Sequence, residues 1–213
     1  EVNMITAELN PSSPAFEPEP VNLTGRDISL RPLSLDDVEG FYQAGKDPLL
    51  WQWVLPNQCL SVETTRRWIL HSLQQQKSGN HVPFVIVDNR SGAIVGSTRY
   101  CSIRREDRNI EIGFTFINPD YQRSYVNTQA KYLLLRHAFE QLGAIRVELR
   151  THEKNQQSRN AIARIGAKFE GILRNNRILS DGSYRNSAMF SVIGEEWPAC
   201  KAELEAKMEK SYA

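Results

Sequence analysis

The chain contains 213 residues, 40% of them apolar and 24% charged, with a formal net charge of +1 at pH 7. This length and apolar content suit one domain around a single buried core. The near-neutral charge argues against a dominant nucleic-acid-binding surface, because proteins that follow a phosphate backbone usually carry a clear basic excess. We therefore expect no nucleic-acid partner, although a local basic patch is compatible with this balance.

Neither the cysteines nor the histidines are spaced like a disulfide framework or a set of metal ligands. The three cysteines are far apart in the sequence, which favours reduced thiols, buried as small hydrophobic side chains, in a cytoplasmic protein. The four histidines form no HExxH or similar motif, so no metal site is expected. The absence of an apolar run of about 18 residues and of a signal-peptide pattern predicts a protein without a membrane partner.

The first 22 residues are predicted to form an extended or disordered arm outside the core. Prolines at positions 11, 14, 18 and 20 stand there among acidic and small residues, a composition that buries little apolar surface. The remaining residues, 23–213, are predicted to form one domain that includes a C-terminal helix.

The first half of this domain combines strand-type and helix-type patterns. The predicted elements are a strand at residues 28–33, helices at 34–44 and 61–76, and strands at 82–88 and 93–102. Ser34 and Ser61 are suited to cap the two helices. Short turns join the later strands to each other and to the strand that follows, which implies an antiparallel meander.

The loop between the two helices carries Trp51 and Trp53 between Pro48 and Pro56. Aromatic residues in a proline-bounded loop can line a pocket, and both tryptophans are predicted as substrate contacts. Packing of the loop onto the core explains the same residues, so both interpretations stay open.

The central stretch, residues 109–140, is predicted to form a strand, a loop and a helix. Its strand is Ile110–Ile117, rich in β-branched and aromatic residues, and a turn at Asn118-Pro119-Asp120 ends it. Apolar residues then recur with a helical period from Val126 to Phe139. A junction of this kind directs backbone N–H groups and the positive end of a helix dipole at one place, which suits phosphate binding.

The last third is predicted to complete a mixed, mostly antiparallel sheet of seven strands. A strand at residues 145–150 follows the central helix and therefore lies parallel to Ile110–Ile117. A short helix at 155–165, a hairpin of strands at 167–173 and 184–193, and a charged amphipathic helix at 195–210 follow. This order predicts an α/β fold with helices flanking the sheet.

Three segments carry a recognisable combination of residues. They read Glu111-Ile-Gly-Phe-Thr-Phe-Ile, Val126-Asn-Thr-Gln-Ala-Lys and Asn155-Gln-Gln-Ser-Arg-Asn-Ala-Ile-Ala-Arg-Ile-Gly. With the predicted order of elements, they resemble the Gcn5-related N-acetyltransferase (GNAT) superfamily, in the branch of ribosomal-protein N-terminal acetyltransferases of the RimJ and RimL type. The resemblance covers residues 23–197. It implies a GNAT-like sheet in which the fourth and fifth strands are parallel and splay apart, with acetyl-CoA bound between them.

The loop that binds the pyrophosphate in this superfamily departs from the usual pattern. Gln122 matches, but Tyr125 and Asn127 occupy positions that usually hold glycine and a small residue. The resemblance to a variant loop implies that phosphate contacts come from a segment of seven residues: Gln122, Arg123, Ser124, Tyr125, Val126, Asn127 and Thr128. A side chain at position 125 could point away from the phosphates or block them.

The resemblance also implies contacts for the arm of the cofactor. Backbone groups near Phe116 and Ile117 would bind the pantetheine, while Asn155 and Ser158 match positions that contact the cofactor arm or the departing sulfur. Ser158 could donate a proton to that sulfur. Both polar residues also suit the start of a helix, where a cap is worth about 1 kcal/mol without any catalytic role.

Glu111 is the candidate general base, because attack by an amine requires removal of a proton and the position matches a carboxylate of the family. The alternative is an ordinary strand residue, exposed or in a salt bridge. Many family members use a tyrosine as general acid where this chain has Ile162, so that mechanism does not carry over.

The sequence therefore predicts an acetyl-CoA-dependent N-acetyltransferase without a metal. Because no cysteine lies in an activating motif, direct transfer in a ternary complex is expected. The acceptor is a primary amine, on a protein N-terminus or a small molecule. The alternative function is a non-catalytic acyl-CoA-binding or regulatory module with a degenerated loop. The amphipathic C-terminal helix is compatible with a homodimer and equally with packing on its own core.

Overall fold

The protein is built on a mixed sheet, seen in a computed structural model that describes residues 15–54 and 56–210. Within these ranges the sheet has eight strands: β1 (Leu23–Thr24), β2 (Ile28–Pro32), β3 (Val82–Asp88), β4 (Ile94–Arg104), β5 (Asn109–Ile117), β6 (Arg146–His152), β7 (Lys168–Ile178) and β8 (Tyr184–Ile193). Their order across the sheet is β1-β2-β3-β4-β5-β6-β8-β7. Strands β5 and β6 are parallel, and the other described neighbours are antiparallel.

The predicted mixed sheet and its parallel pair are thus confirmed, but the count of seven strands is wrong. The additional strand is β1, which is only two residues long and too short to show a period-two pattern. Counting it moves the parallel pair from strands four and five to strands five and six.

Five helices in the described ranges cover the sheet: α1 (Val38–Gly45), α2 (Val62–Lys77), α3 (Tyr125–Arg136), α4 (Gln156–Arg164) and α5 (Trp197–Lys210). The predicted cap of α2 is present, since Ser61 Oγ accepts the N–H of Thr64 at 3.0 Å. Helix α3 continues into a π-helical turn and stops at Gly143, whose left-handed φ of 79° suits a helix end. None of the described helices has the length and hydropathy needed to span a membrane.

The two faces of the sheet bury separate sets of apolar side chains. Helices α1 and α2 pack on one face, around Phe41 and Ile69, while α3 and α5 pack on the other, around Leu134. Because side chains alternate along a strand, neighbouring residues of β4 and β5 face opposite sets of helices. Helix α5 packs on its own core, where Trp197 is 5% exposed.

The N-terminal arm is partly joined to the core. Residues 15–22 contain no helix or strand, in line with an extended arm, but Phe16 is only 4% exposed and belongs to the α3-side core. Glu17 also forms an ion pair of 3.1 Å with Arg105. The expectation that this arm stays outside the core is therefore wrong for Phe16, whose single apolar side chain gives no periodic signal. Residues 1–14 lie outside the described residues.

One lysine is buried between α3 and β5. Lys131 is 6% exposed, and its Nζ donates to Thr115 Oγ1 of β5 at 2.9 Å. Within the described ranges no carboxylate lies at ion-pair distance from it. Burial therefore lowers the pKa of Lys131 from 10.5 to about 8. The folded protein thus holds this proton less tightly than the unfolded chain.

We expect Lys131→Met to stabilise the protein at pH 7 by up to roughly 3 kcal/mol. A lowered folded-state pKa means that the unfolded wild-type chain binds more protons between pH 8 and 10.5, so wild-type stability rises with pH there. The advantage of the methionine variant should shrink over the same interval. Urea unfolding at pH 7, 8.5 and 10 measures this, with exposed Lys77→Met as control. A difference independent of pH would contradict it.

Candidate active-site cleft

The cleft opens where β5 and β6 stop pairing. Their register runs from Asn109 opposite Arg146 to Glu111 opposite Glu148 and goes no further, although β5 continues to Ile117. The backbone of β5 beyond Glu111 therefore has no strand partner on the β6 side. Backbone N–H and C=O groups require hydrogen-bond partners, so this edge is suited to bind an extended polar ligand.

A β-bulge accompanies the separation of the strands. The pairing between β4 and β5 shifts register between Ser97 and Arg99, and Phe114 on β5 has a left-handed φ of 53°. A bulge bends its strand and re-aims side chains, which is common beside functional sites. Here it turns β5 away from β6 at the mouth of the cleft.

Glu111 lies at the point where the strands part and is 2% exposed. Its Oε2 accepts from Ser102 Oγ at 2.6 Å, and its Oε1 lies 2.9 Å from Arg150 Nε. The Nε–H bond of Arg150 is not directed at a hydrogen-bond acceptor, so this second contact is an ion pair rather than an aligned hydrogen bond. Both carboxylate oxygens are thus engaged. This geometry matches the alternative in which Glu111 is a strand residue held in a salt bridge. A role of Glu111 as general base stays a prediction.

Arg150 also connects Glu111 to Glu148, the residue that pairs with Glu111 in the register of β5 and β6. Arg150 Nη2 donates to Glu148 Oε2 at 3.3 Å, so the guanidinium lies between two carboxylates on neighbouring strands. Burial raises the pKa of Glu148, but hydrogen bonds from Arg104 and Arg146 outweigh this effect and hold the pKa below its usual value. We call the Glu111–Arg150–Glu148 contact the Arg150 bridge.

The predicted phosphate loop runs into the first turn of α3. Ser124 caps the helix, because its Oγ accepts from the N–H of Val126 at 3.3 Å and donates to Tyr121 O at 2.5 Å. Gln122 Nε2 donates to Ile117 O at 3.2 Å, which ties the loop to the end of β5. Arg123 is exposed and has a left-handed φ of 56°. The structure thus brings the loop, the helix N-terminus and the open end of β5 together.

Tyr125 occupies the position that usually holds glycine, but the backbone at this position does not need the conformational freedom of glycine. It is the first residue of α3, and no left-handed φ occurs there; the left-handed residue of this loop is Arg123 instead. The Tyr125 side chain packs against the α3-side core. Desolvation, and then the charge of Asp88, raise the pKa of its phenol. Asn127 and Thr128 follow, half-buried, in the same helical turn.

Two predicted cofactor contacts on β5 have different surroundings. The Phe116 ring is buried at 6% exposure against Trp51 and Phe41, and its carbonyl lies against Gly96 of β4. This position favours a packing role for its side chain. Ile117 has its carbonyl on the loop side, where it accepts from Gln122.

Asn155 and Ser158 meet at the start of α4. Asn155 Oδ1 accepts from the N–H of Ser158 at 3.1 Å, so Asn155 is the helix cap. The Ser158 hydroxyl makes no hydrogen bond to the described residues, and the side chain is half-buried. Ile162, at the position of the family's tyrosine, is 7% exposed and belongs to the core.

The two tryptophans predicted as substrate contacts have different surroundings. Trp51 is 4% exposed, donates its Nε1–H to Gly45 O at 2.8 Å and packs on Phe116. This is the packing alternative of the sequence analysis. Trp53 is half-buried beside the end of β6, with its ring 4.9 Å from that of His152. A substrate contact by Trp53 stays a prediction.

Several arginines that the sequence analysis did not select converge on the α2 side of the cleft. Arg99 is 1% exposed, and its guanidinium lies 5.0 Å from the rings of both Trp68 and Phe114. Its Nη2 donates to Ser72 Oγ at 2.9 Å and its Nη1 to His81 Nδ1 at 3.2 Å. Burial lowers the pKa of Arg99 to about 10, which leaves the group protonated at pH 7.

Strands β7 and β8 add two further arginines that face each other in the register. Arg177 is exposed, 6.0 Å from the Phe114 ring, and Arg185 is 9% exposed with its Nε donating to Ser187 Oγ. Burial, followed by repulsion from Arg177 and Arg150, lowers the pKa of Arg185 to about 10. We call Arg99, Arg150, Arg177 and Arg185 the cationic cluster. No local motif marks it, because its members come from four separate strands.

The histidines beside the cleft have their acceptor nitrogens occupied. His81 Nδ1 accepts from Arg99, and burial together with that charge lowers the pKa of His81 to about 4. His152 Nδ1 accepts from the N–H of Lys154 at 3.1 Å. Each ring therefore carries its remaining proton on Nε2 when neutral. Neither imidazole offers a free acceptor nitrogen.

The thiols are all buried, as the sequence predicted for small hydrophobic side chains. Burial raises the pKa of Cys59 to about 11, and burial followed by the charge of Glu111 raises that of Cys101 further. Burial likewise raises the pKa of Cys200. These thiols are therefore protonated at pH 7 and poor nucleophiles.

Other parts of the described chain offer no competing site of comparable chemistry. Residues 15–54 and 56–210 contain no group of three or more His, Cys, Asp or Glu side chains that could hold a metal ion. A cavity of about 300 Å³ lies between α3, α5 and the β1–β2 turn, lined in part by Tyr132, Arg136 and Glu205. It is on the face opposite the cationic cluster and does not reach the open edge of β5.

Comparison with known proteins gives one family and several similar folds. The family model of the acetyltransferase (GNAT) domain matches residues 27–168. A GCN5-related N-acetyltransferase from Brucella melitensis is 29% identical over 93% of this chain and 90% of its own, with a TM-score of 0.85. A comparison with curated proteins gave no match.

Two more distant structures share the fold alone. RimJ from Mycobacterium smegmatis, solved in complex with CoA-disulfide, is 22% identical over 84% of this chain and 88% of its own, with a TM-score of 0.73. A GNAT-family acetyltransferase from Bacillus anthracis is 16% identical over 83% of this chain and 100% of its own, with a TM-score of 0.70. Because the family model spans most of the domain and the splayed strands carry its features, the chain belongs to the GNAT family of acetyltransferases.

Proposed function

We propose that the protein transfers the acetyl group of acetyl-CoA to a primary amine, directly and without a metal. The observation that carries this proposal is the unpaired edge of β5 beyond Glu111, which ends at the capped N-terminus of α3. An extended edge suits an amide-bearing arm, and a helix N-terminus suits phosphates. The two features are adjacent along the chain, as one ligand that contains both groups requires.

The residues of the loop fit the phosphate end of acetyl-CoA. Arg123 is exposed at the helix start, where its charge and the helix dipole both favour an anion. The Tyr125 side chain packs against the α3-side core, and its backbone needs no left-handed φ, so it need not fill the phosphate position. Acetyl-CoA, when bound, supplies the acetyl group as a reactive thioester. The chain's task is to hold this group, remove a proton from the amine and protonate the departing sulfur.

Glu111 is the proposed general base. It lies at the origin of the cleft, and the imidazoles of His81 and His152 are poor alternatives because their acceptor nitrogens are occupied. Ser102 and Arg150 orient the carboxylate. A shift of Arg150 toward Glu148 would free Oε1 for the proton of the amine. The competing role is purely structural, with Glu111 holding Arg150 in place.

Ser158 is the proposed proton donor to the sulfur. Its hydroxyl makes no hydrogen bond to the described residues, whereas the adjacent cap is formed by the Asn155 side chain. The capping role of Asn155 thus leaves the Ser158 hydroxyl free for the proposed proton transfer. Direct transfer to the amine is preferred to an acetyl-enzyme, because all three thiols are buried and protonated.

Three other features of the proposal rest on the sequence. The acceptor is a protein N-terminus or a small amine, with Trp53 as the candidate contact at the end of β6. A cytoplasmic location and a homodimer also stay predictions. The second candidate function is a non-catalytic acyl-CoA-binding or regulatory module, which the occupied oxygens of Glu111 favour.

Acetyl-CoA is expected to raise the melting temperature of the protein, and ATP is not. A ligand present at a hundredfold excess over its Kd stabilises the folded state by about 2.7 kcal/mol. Arg123→Asn should weaken the shift without lowering the stability of the ligand-free protein, because asparagine tolerates the left-handed φ at this position. Thermal-shift titration measures both effects. A folded protein that responds to no CoA species would end the acetyltransferase proposal.

Glu111→Gln is expected to keep the thermal shift with acetyl-CoA and to reduce kcat roughly a hundredfold or more at pH 7. The loss should become smaller above the pKa of a peptide amine, about 8, because the amine is then neutral without a base. Ser158→Ala should also keep binding and lower kcat, with little change in KM for the amine. Steady-state kinetics from pH 6.5 to 9.5 measures this. If the loss of kcat in Glu111→Gln does not depend on pH, Glu111 is not the general base and serves to position Arg150.

A further inference from the structure

In the cationic cluster only Arg150 has carboxylate partners among the described residues, Glu111 and Glu148. Among the described residues, none of Arg99, Arg177 and Arg185 has a carboxylate within ion-pair distance. The charge of Glu111 attracts Arg185, but Arg150 already pairs with that carboxylate. Unpaired charges in a protein interior are costly, and like charges close together add to the cost. This arrangement is therefore suited to receive an anion.

Phe114 lies between two of these cations. The Arg99 guanidinium is 5.0 Å from its ring centre and that of Arg177 is 6.0 Å away. Arg99 is fully buried, and its Nε has no hydrogen-bond partner among the described residues. Arg177 is exposed. The buried arginine supplies a fixed positive field, and the exposed one is placed to contact a ligand directly.

The phosphates of the cofactor are not the anion that this cluster fits. Arg99 faces α2, because it contacts Ser72 and Trp68, whereas its neighbour Tyr100 contacts Leu134 of α3 on the opposite face. Arg99 also pairs in register with Gly113, four residues before the end of β5. At about 3.3 Å per residue this is roughly 13 Å from the loop that leads to α3. The cluster thus lies on the acceptor side of the cleft.

We infer that the acceptor is a primary amine that also carries a carboxylate, which binds Arg177 and Arg185 over the Phe114 ring. This inference rests on the proposed acetyl transfer and specifies its substrate class. A guanidinium matches a carboxylate in shape and can donate two parallel hydrogen bonds to it. The rings of Trp68 and Phe114, 5.8 Å apart, form the apolar side of the site next to these guanidinium groups. The amine then extends toward Glu111, the carboxylate that contacts Arg150 of the cationic cluster.

Two sources present this chemistry. A peptide with an acidic residue next to its N-terminus carries the carboxylate on a side chain, and a free amino acid carries it beside the amine. Matched acceptors separate them: a peptide that begins Ser-Asp against one that begins Ser-Asn, and an amino acid against its carboxamide. The neutral member of each pair has nearly the same shape, so a difference in kcat/KM, corrected for the fraction of each acceptor whose amine is unprotonated at the assay pH, reports the charge.

The wild-type protein is expected to favour the carboxylate member of at least one pair about tenfold or more in kcat/KM. Arg177→Gln should lower kcat/KM about tenfold for that acceptor and less than twofold for its neutral partner. Arg174→Gln is the matched control, since Arg174 is exposed on the same strand and contacts none of the described residues by hydrogen bond or ion pair. Because Arg177 is at the surface, its replacement is not expected to impair folding, so a loss of activity reports a lost contact with the acceptor. The thermal shift of the variant with acetyl-CoA should be unchanged.

The outcomes separate this inference from the proposed function. Turnover of both members of each pair at equal rates would overturn the inference and leave the acetyltransferase proposal intact. The same holds if Arg177→Gln slows neutral and charged acceptors alike. An absence of turnover with every amine would overturn the proposed function, and the inference with it. A preference confined to one pair would support the inference and identify the source of the carboxylate.

Discussion

The cleft depends on one ionic contact, the Arg150 bridge. Glu111 and Glu148 are opposite each other in the last paired position of β5 and β6, so two carboxylates occupy one face of neighbouring strands. Like charges in such positions destabilise a sheet unless a cation compensates them. Arg150 lies 2.9 Å from Glu111 Oε1 and donates to Glu148 Oε2. The bridge holds the strands together at the point beyond which they separate, and so it defines the base of the cleft.

The same contact constrains any chemistry that Glu111 performs. A carboxylate fixed by a guanidinium and by the Ser102 hydroxyl is well oriented, but it has fewer lone pairs left for a proton. Orientation and basicity therefore oppose each other at this residue. Glu148 relieves the conflict, because Arg104 and Arg146 also bind it and keep it charged. Arg150 thus has a second carboxylate available if its contact with Glu111 weakens.

Features with a local signal were predictable from the sequence, and features that arise from pairing distant segments were not. The strand of Ile110–Ile117 and the change to a helical period in α3 follow from periodicity and turn chemistry. The burial of Lys131, by contrast, depends on where α3 packs, and its neighbours in sequence give no sign of it. The loop departure at Tyr125 was visible in the sequence, but no motif encodes that the left-handed φ of this loop falls on Arg123 and that Tyr125 packs against the core.

The cationic cluster shows why net charge is a poor guide to the charge of a site. The chain as a whole carries +1, a balance that argues against a large basic surface but says nothing of a cleft. Consecutive members of the group Arg99, Arg150, Arg177 and Arg185 are 51, 27 and 8 positions apart, so no window of sequence contains an obvious basic run. Four strands bring them to one face of the sheet. A protein with almost no net charge thereby concentrates positive charge where its proposed acceptor binds, while acidic residues elsewhere on the surface restore neutrality.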